Sequence, residues 1–285
     1  MTAGPGSGMV TNLTPWGAAL DPADVLGEYP RPQLVRDSHL NLNGYWDYAI
    51  VPAPAGLGPG ARGLDTAPVP RAWDGQILVP FSPEAPLSGV NRQLQPDELL
   101  WYRRGLAVPA GFDRGRLLLH FGAIDQHCAV LIDGRPLATH EGGYLPFTVD
   151  LTGHVQAAGH EITVVVRDVS DTSYHSRGKQ RLERGGIWYT AQSGIWQPVW
   201  LESVPQQHIG GLRVVPHCRD GELEVTLLGP PADGADPGGA RLEVMADGVA
   251  VVPSRLLNDI VKALEPGAVE LETSEESARI ASGRS

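Results

Sequence analysis

The sequence predicts an all-β protein: a jelly-roll β-sandwich followed by part of a second, immunoglobulin-like sandwich. Three observations predict it. Between residues 40 and 205 no stretch keeps a 3.6-residue apolar period, whereas short runs alternate apolar and polar residues at close spacing. The 285 residues include 35 Gly and 25 Pro, punctuation that suits many strands joined by turns. The stretch Ser193–Glu202, SGIWQPVWLE, sets Trp196 and Trp200 four residues apart behind a Ser-Gly turn, the aromatic loading of a buried sheet face. Pro198 cannot donate to a ladder, so this strand is expected at an edge or bulged there.

Taken in order, residues 1–30 are Gly, Pro and small residues with an Asp21-Pro22 turn, and read as a loosely attached arm. The jelly roll is expected over 31–205. Asn43-Gly44 gives a turn into the aromatic strand Tyr45–Tyr48, and residues 52–70 form a long Pro/Gly/Ala-rich loop. Ile77–Phe81, Leu100–Val108 and Leu117–Phe121 are strands. Ala129–Ile132 runs into Asp133-Gly134, the dipeptide of a tight hairpin. Phe147–Leu151 and Ile162–Val166 alternate in turn.

A second unit is expected over 206–253, with strands at Ile209–Val215, Glu222–Leu228 and Arg241–Ala246 and a hairpin turn at Asp247-Gly248. An immunoglobulin-like sandwich needs about seven strands, and here the pattern breaks after Val252. Residues 254–285 read as a helix and a disordered tail. Ser254 is an N-cap, Leu256, Ile260 and Leu264 form a stripe, Pro266-Gly267 stops it, and 274–285 are polar. A premature stop, a frame change or a divergent ending would each produce this.

The formal net charge is −11 with no basic run, which argues against nucleic acid and anionic membrane surfaces as partners. No run of eighteen apolar residues is present, and the opening residues lack a basic and an apolar signal region, so the expected compartment is cytoplasmic. Cys128 and Cys218 read as unpaired thiols. His120, His127, His140, His154, His160 and His175 show no close ligand spacing, so no metal site is expected, and no glycine loop suits a phosphate. No cofactor is expected.

Eight stretches then occur in one order: Leu42–Trp46, Val79–Phe81, Leu87–Gly89, Trp101–Arg104, Leu119–Asp125, His140–Tyr144 with Pro146-Phe147, Gly178–Gln180 and SGIWQPVWLE. In these the chain resembles the N-terminal portion of family 2 glycoside hydrolases, the β-galactosidase and β-glucuronidase group. The resemblance implies a galactose-binding-like jelly roll, an immunoglobulin-like domain from about 205, and a catalytic (β/α)₈ barrel of about 250 residues. The barrel's acid/base would be a Glu directly after an Asn. Each Asn here is followed instead by Leu, Leu, Gly, Arg or Asp, so no catalytic residue is assigned. The expected function is the sugar-binding region of such a hydrolase, truncated and inactive alone. The alternatives are a stand-alone carbohydrate-binding module and a domain that completes a separately encoded barrel.

The resemblance also implies that acidic residues in the loop after Val166 reach the sugar. Asp168 and Asp171 are the candidates, since carboxylates accept strong charge-assisted bonds from hydroxyls. Asp171, in a Ser-Asp context, is closer to the β-galactosidase pattern. Either could instead bond its own backbone in a turn. Lys179 and Gln180 could line the same edge, and Asn91 is a further sugar contact or a turn residue. Trp188 and Tyr189 could stack on a sugar or pack under Gly185-Gly186. The expected partner is a β-galactoside or β-glucuronide. Self-association through unpaired edges of the second unit, or association with a barrel, is also expected.

Overall fold

The structure is a computed structural model that describes residues 13–57, 60–155, 159–206, 208–217, 222–229, 269–273 and 278–282. Backbone packing divides the chain into two units, Met1–Glu28 with Ser38–Ser203, and Tyr29–Asp37 with Val204–Ser285.

The first unit contains fourteen strands among its described residues. They are β1 His39–Asn41, β2 Gly44–Pro52, β3 Gly75–Val79, β4 Glu98–Leu106, β5 Arg116–Phe121, β6 Ile124–Asp125 and β7 His127–Ile132. β8 Arg135–Glu141, β9 Phe147–Asp150, β10 His160–Arg167, β11 Gln180–Arg181, β12 Tyr189–Thr190, β13 Gly194–Ile195 and β14 Val199–Val204 follow. Six form one sheet in the order β3-β2-β4-β10-β7-β8, and four form a second, β1-β14-β5-β9. Two small ribbons remain: parallel β11-β12 and antiparallel β13-β6.

Alternation decides which residues fill the space between the two main sheets. Leu100 and Tyr102 of β4 and Val164 and Val166 of β10 meet Leu119 and Phe121 of β5, Val149 of β9 and Leu201 of β14 in one core. Trp46 and Tyr102 meet edge to face, 6.5 Å between ring centres. The intervening residues Leu99, Trp101, Ala129, Leu131 and Val165 point to the other face of the large sheet. There the loop after β2 covers them with Leu64, Ala67 and Trp73. All six residues of β7 are therefore buried, and a strand covered on both faces loses the alternation a half-exposed strand shows. Burial pushes the Cys128 thiol up to about 12; Cys218 lies outside the described residues.

The hairpin between β7 and β8 turns on Asp133 and Gly134, at φ 51° and 73°. Two consecutive left-handed residues match the twist of the flanking strands, as the dipeptide predicts.

Three expectations are corrected. SGIWQPVWLE is not one strand. Pro198 separates β13, which pairs with β6, from β14, which lies in the four-stranded sheet, and its carbonyl accepts the Gly122 N–H at 2.8 Å. A residue without an N–H thus sits where the chain changes sheets. Trp200 is buried and stacks on His120 at 4.8 Å, whereas Trp196 is half-buried. The N-terminal stretch is not wholly loose: Val25 is buried, and its carbonyl accepts the Asn41 and Asn43 side-chain amides, both at 3.0 Å.

The third correction concerns the tail of the second unit. Its described strands are β15 Gly211–His217, β16 Glu222–Leu228, β17 Val269–Thr273 and β18 Ala278–Ser282, in the order β15-β16-β18-β17. β18 falls inside the tail expected to be disordered and pairs with both β16 and β17. The polar composition of 274–285 hid Ala278 and Ile280, two residues apart in β18. The expected helix over 254–265, the strand Arg241–Ala246 and the Asp247-Gly248 turn lie outside the described residues. No helix among the described residues is long and apolar enough to cross a membrane.

Candidate functional site

At the end of β10 the chain leaves the sheet through Asp168 and a single 3₁₀ turn, Ser170–Thr172. Asp168 is buried, and its Oδ1 accepts the Ser170 N–H at 2.7 Å. This bond two residues on is the Asx-turn role that competed with a sugar contact. It holds Ser170 at φ 46°, which is costly for a residue with a Cβ. Asp171 follows, half-buried, with Oδ1 accepting the Leu182 N–H at 3.1 Å across the loop.

The returning chain is tied down by backbone and amide groups. The Lys179 carbonyl accepts the Tyr189 N–H at 2.8 Å, and Gln180 Oε1 accepts the Gln192 N–H at 2.7 Å. The Ser82 hydroxyl donates to Gln192 Oε1, and Gln93 Nε2 donates to the Leu182 carbonyl at 3.0 Å. The loop from Asp168 to Gln192 is thereby stitched to the loop from Ser82 to Leu94. Asp171, Lys179 and Gln180 thus share one loop, with Lys179 exposed and Gln180 half-buried. Asn91 stands exposed on the neighbouring loop at φ 51°, a left-handed turn position that Asn tolerates. The Trp188 ring carries the Arg181 guanidinium 3.7 Å from its centre, which occupies one face; Tyr189 is exposed.

Two further carboxyls lie beneath this rim that sequence reasoning did not select. Glu84 is buried: Oε1 accepts the Leu94 N–H at 3.0 Å and the Ser193 hydroxyl at 2.7 Å, and Oε2 accepts the Ser193 N–H at 3.1 Å. Asp125 is buried against Gly143, where an added Cβ would come within 2.3 Å of its Oδ1. The Gly143 carbonyl accepts the Trp196 indole N–H at 2.8 Å, and Tyr144 meets that indole edge to face. The available signal was an acid in an apolar or Pro-bounded run, Glu84 within PFSPEAPLSG and Asp125 within FGAIDQ.

Burial pushes all three buried carboxyls upward. Asp125 rises to about 8, through burial and then the charges of Asp168 and Glu84. Glu84 rises to about 7 through burial, opposed by its bonds from Leu94 and Ser193. Asp168 rises to about 6 through burial, opposed by the Ser170 N–H and His175. Removing a carboxylate from water disfavours its charged form, and neighbouring carboxylates add to the effect.

The structure also brings together His127, Glu141 and His175, whose ligand atoms lie within 4.8 Å of one another. These are the residues that could hold a metal, although the sequence spacing gave no sign of it.

With this geometry in place, the comparisons with known proteins bear directly on residues 40–205, which match the family model described as glycosyl hydrolases family 2, sugar binding domain. The chain belongs to that family. It is 36% identical over 149 residues to a β-glucuronidase of Paenibacillus borealis, an alignment covering 50% of this chain and 23% of that protein. It is 25% identical over 163 residues to a β-galactosidase of Thermoanaerobacter pseudethanolicus, covering 56% and 21% respectively. Its fold is similar to a β-glucuronidase structure from an uncultured Clostridium, with a TM-score of 0.50 at 22% identity, over 70% of this chain and 35% of that one. The chain thus spans about a fifth of the length of these two curated relatives.

Proposed function

We propose that the jelly roll holds the sugar of a β-glucuronide or β-galactoside for a family 2 glycoside hydrolase, with Asp171 accepting bonds from sugar hydroxyls. The observation that carries this reading is the state of Asp171. Among the described residues its Oδ1 is fixed by Leu182 and its Oδ2 has no partner, at the mouth of a stitched loop. A charged acceptor held in place loses little freedom when a hydroxyl docks. Asp168 serves as the turn that aims it. Gln180 braces the loop through Gln192, and Lys179 and Asn91 flank the rim. In a chain of charge −11, the run Arg177, Lys179, Arg181 and Arg184 around the single acid Glu183 favours a uronate carboxylate over a neutral galactosyl group.

Bond cleavage belongs, in this reading, to a barrel outside these residues that supplies an acid/base and a nucleophile about 5–5.5 Å apart. A stand-alone binding module and a domain completing a separately encoded barrel would use Asp171 in the same way. The second unit is proposed to be immunoglobulin-like, and its outer strands β15 and β17 offer edges through which copies could associate. The test is calorimetric or NMR titration of the chain with methyl β-glucuronide and methyl β-galactoside. Weak binding, stronger for the glucuronide and lost in Asp171→Asn, is expected; binding unchanged by that substitution overturns the reading. With nitrophenyl glycosides the chain alone should match a buffer blank, and turnover should appear only with an added family 2 barrel.

A further inference from the structure

His127 is the first residue of β7, and in the β7–β8 register its direct partner is Glu141, the last residue of β8. Directly opposite residues project to the same face of a sheet. Nδ1 of His127 lies 3.9 Å from Glu141 Oε1. From the other side the loop after Asp171 brings in His175, whose ring meets that of His127 edge to face with centres 4.8 Å apart. Tyr174 stacks on His175 with ring centres 4.5 Å apart.

The state of His127 singles this cluster out. The residue is 0% exposed, and neither ring nitrogen has a hydrogen-bond partner. Buried polar nitrogens are almost always paired, because leaving one unpaired costs about 1–3 kcal/mol. A neutral imidazole that is held dry and aimed at a carboxylate and a second imidazole is the donor set of a metal site.

We propose that His127, Glu141 and His175 bind a divalent first-row transition cation such as zinc or cobalt. Two imidazoles and one carboxylate favour these ions, whereas calcium and magnesium take oxygen ligands. Tetrahedral ligands at about 2.0–2.1 Å from zinc stand roughly 3.4 Å apart, so the present 4.8 Å spread must close by about 1.4 Å. His127 is buried in the sheet, while Glu141 is exposed and His175 half-buried in a loop, so the two outer ligands can supply that movement. Glu141 also lines an open hollow of about 450 Å³. The three protein ligands leave a fourth position for water. Arg167, opposite His127 in the β7–β10 register, places a positive charge nearby and sets the affinity below that of an all-anionic site.

The consequence is mechanical. A cation here cross-links the end of the β7–β8 pair to the loop that carries Asp171, four residues before His175. Metal loading would hold the proposed sugar contact in place.

The experiment titrates the tag-free, full chain with zinc by calorimetry and with cobalt by visible absorption. One equivalent is expected to bind, with the intense cobalt bands of a four-coordinate site. Removing even a supporting partner costs metal sites about 10–100-fold in affinity. His175→Ala and Glu141→Gln should therefore each lose at least roughly tenfold. Zinc should also slow trypsin at Arg177, Lys179 and Arg181 in the parent chain but not in His175→Ala. Failure of the parent chain to bind, six-coordinate cobalt spectra, or equal affinity in the variants overturns the proposal. Should a variant fold poorly, the cobalt spectrum of the parent chain alone decides.

Discussion

Replacing Asp125 by Asn tests whether the carboxyls beneath the rim are held neutral. The folded chain keeps the Asp125 proton up to about pH 8, against an ordinary value of 3.8. Each pH unit of that gap corresponds to about 1.4 kcal/mol, a ceiling of about 6 kcal/mol. Relaxation of the interior, with an effective dielectric near 20, reduces this to on the order of 2 kcal/mol. The sign follows from which state holds the proton. Above about pH 4 the unfolded chain releases it while the folded chain keeps it, so the stabilisation is complete at low pH and is lost as pH rises to 8. Glu84 and Asp168, also raised, act in the same direction. Asp133 and Asp150, which are lowered, act below pH 4 and outside this window, whereas His39, His127 and His140, lowered by burial, act in the opposite direction below about pH 6.5, so the difference between parent and variant carries the test. Urea unfolding followed by tryptophan fluorescence is the assay, because all seven Trp lie in the first unit. The parent chain should lose stability from pH 5 to 8, and Asp125→Asn should lose about 2 kcal/mol less. A variant curve parallel to that of the parent chain from pH 5 to 8 would refute the reasoning.

Other perturbations follow from close approaches. Gly194 sits at φ 77°, where an added Cβ would come within 2.1 Å of Tyr102 Oη, so Gly194→Ala should cost about 3 kcal/mol by thermal unfolding. Tyr102→Phe leaves the Ile195 N–H, now 3.1 Å from that hydroxyl, without its acceptor and should cost about 1–3 kcal/mol. The double variant should cost less than the sum, because Phe removes the clashing oxygen; strict additivity would show that the two positions do not share this contact. Gly143→Ala should lower the melting temperature through its clash with the Asp125 carboxyl, and Asp125→Ala in the same chain should restore part of the loss.

The fold was legible wherever local chemistry and tertiary packing agree. Alternation located the strands of the two main sheets, and Asp133-Gly134 located the β7–β8 hairpin. Reading failed where a distant part of the chain decides. Pro198 is incompatible with an interior strand position, but a change of sheet and a bulge look alike in sequence. β7 lost its alternation because a loop more than fifty residues earlier covers its second face. In the tail, a polar composition outweighed the short apolar pattern of Ala278–Ser282. The candidate loop was legible from its order among the matched stretches. Glu84, Asp125 and the His127–His175 approach were not, since each depends on contacts across long separations in the chain.

The buried carboxyls also bear on what this domain does not do. Raised carboxyls often mark an acid catalyst, yet a glycosidase pair needs one group kept protonated and its partner kept ionised by different surroundings. Here burial is the largest influence on Glu84, Asp125 and Asp168 and moves all three in the same direction, with only Asp168 opposed by a neighbouring histidine, His175, among the described residues. Their oxygens are turned inward, and Glu84 has both of its own bonded. Both Glu84 oxygens accept from Leu94 and Ser193, Asp168 Oδ1 accepts from Ser170, and Asp125 is sealed beneath Gly143. Ser193 begins the SGIWQPVWLE stretch, so Glu84 anchors the 82–94 loop to the chain that enters β13 and β14. Glu84 is therefore a clamp between loops, and Asp168 the brace of its own turn. Asp171 differs from them in being half-exposed, with its Oδ2 uncommitted among the described residues, which is what a contact to an arriving hydroxyl requires.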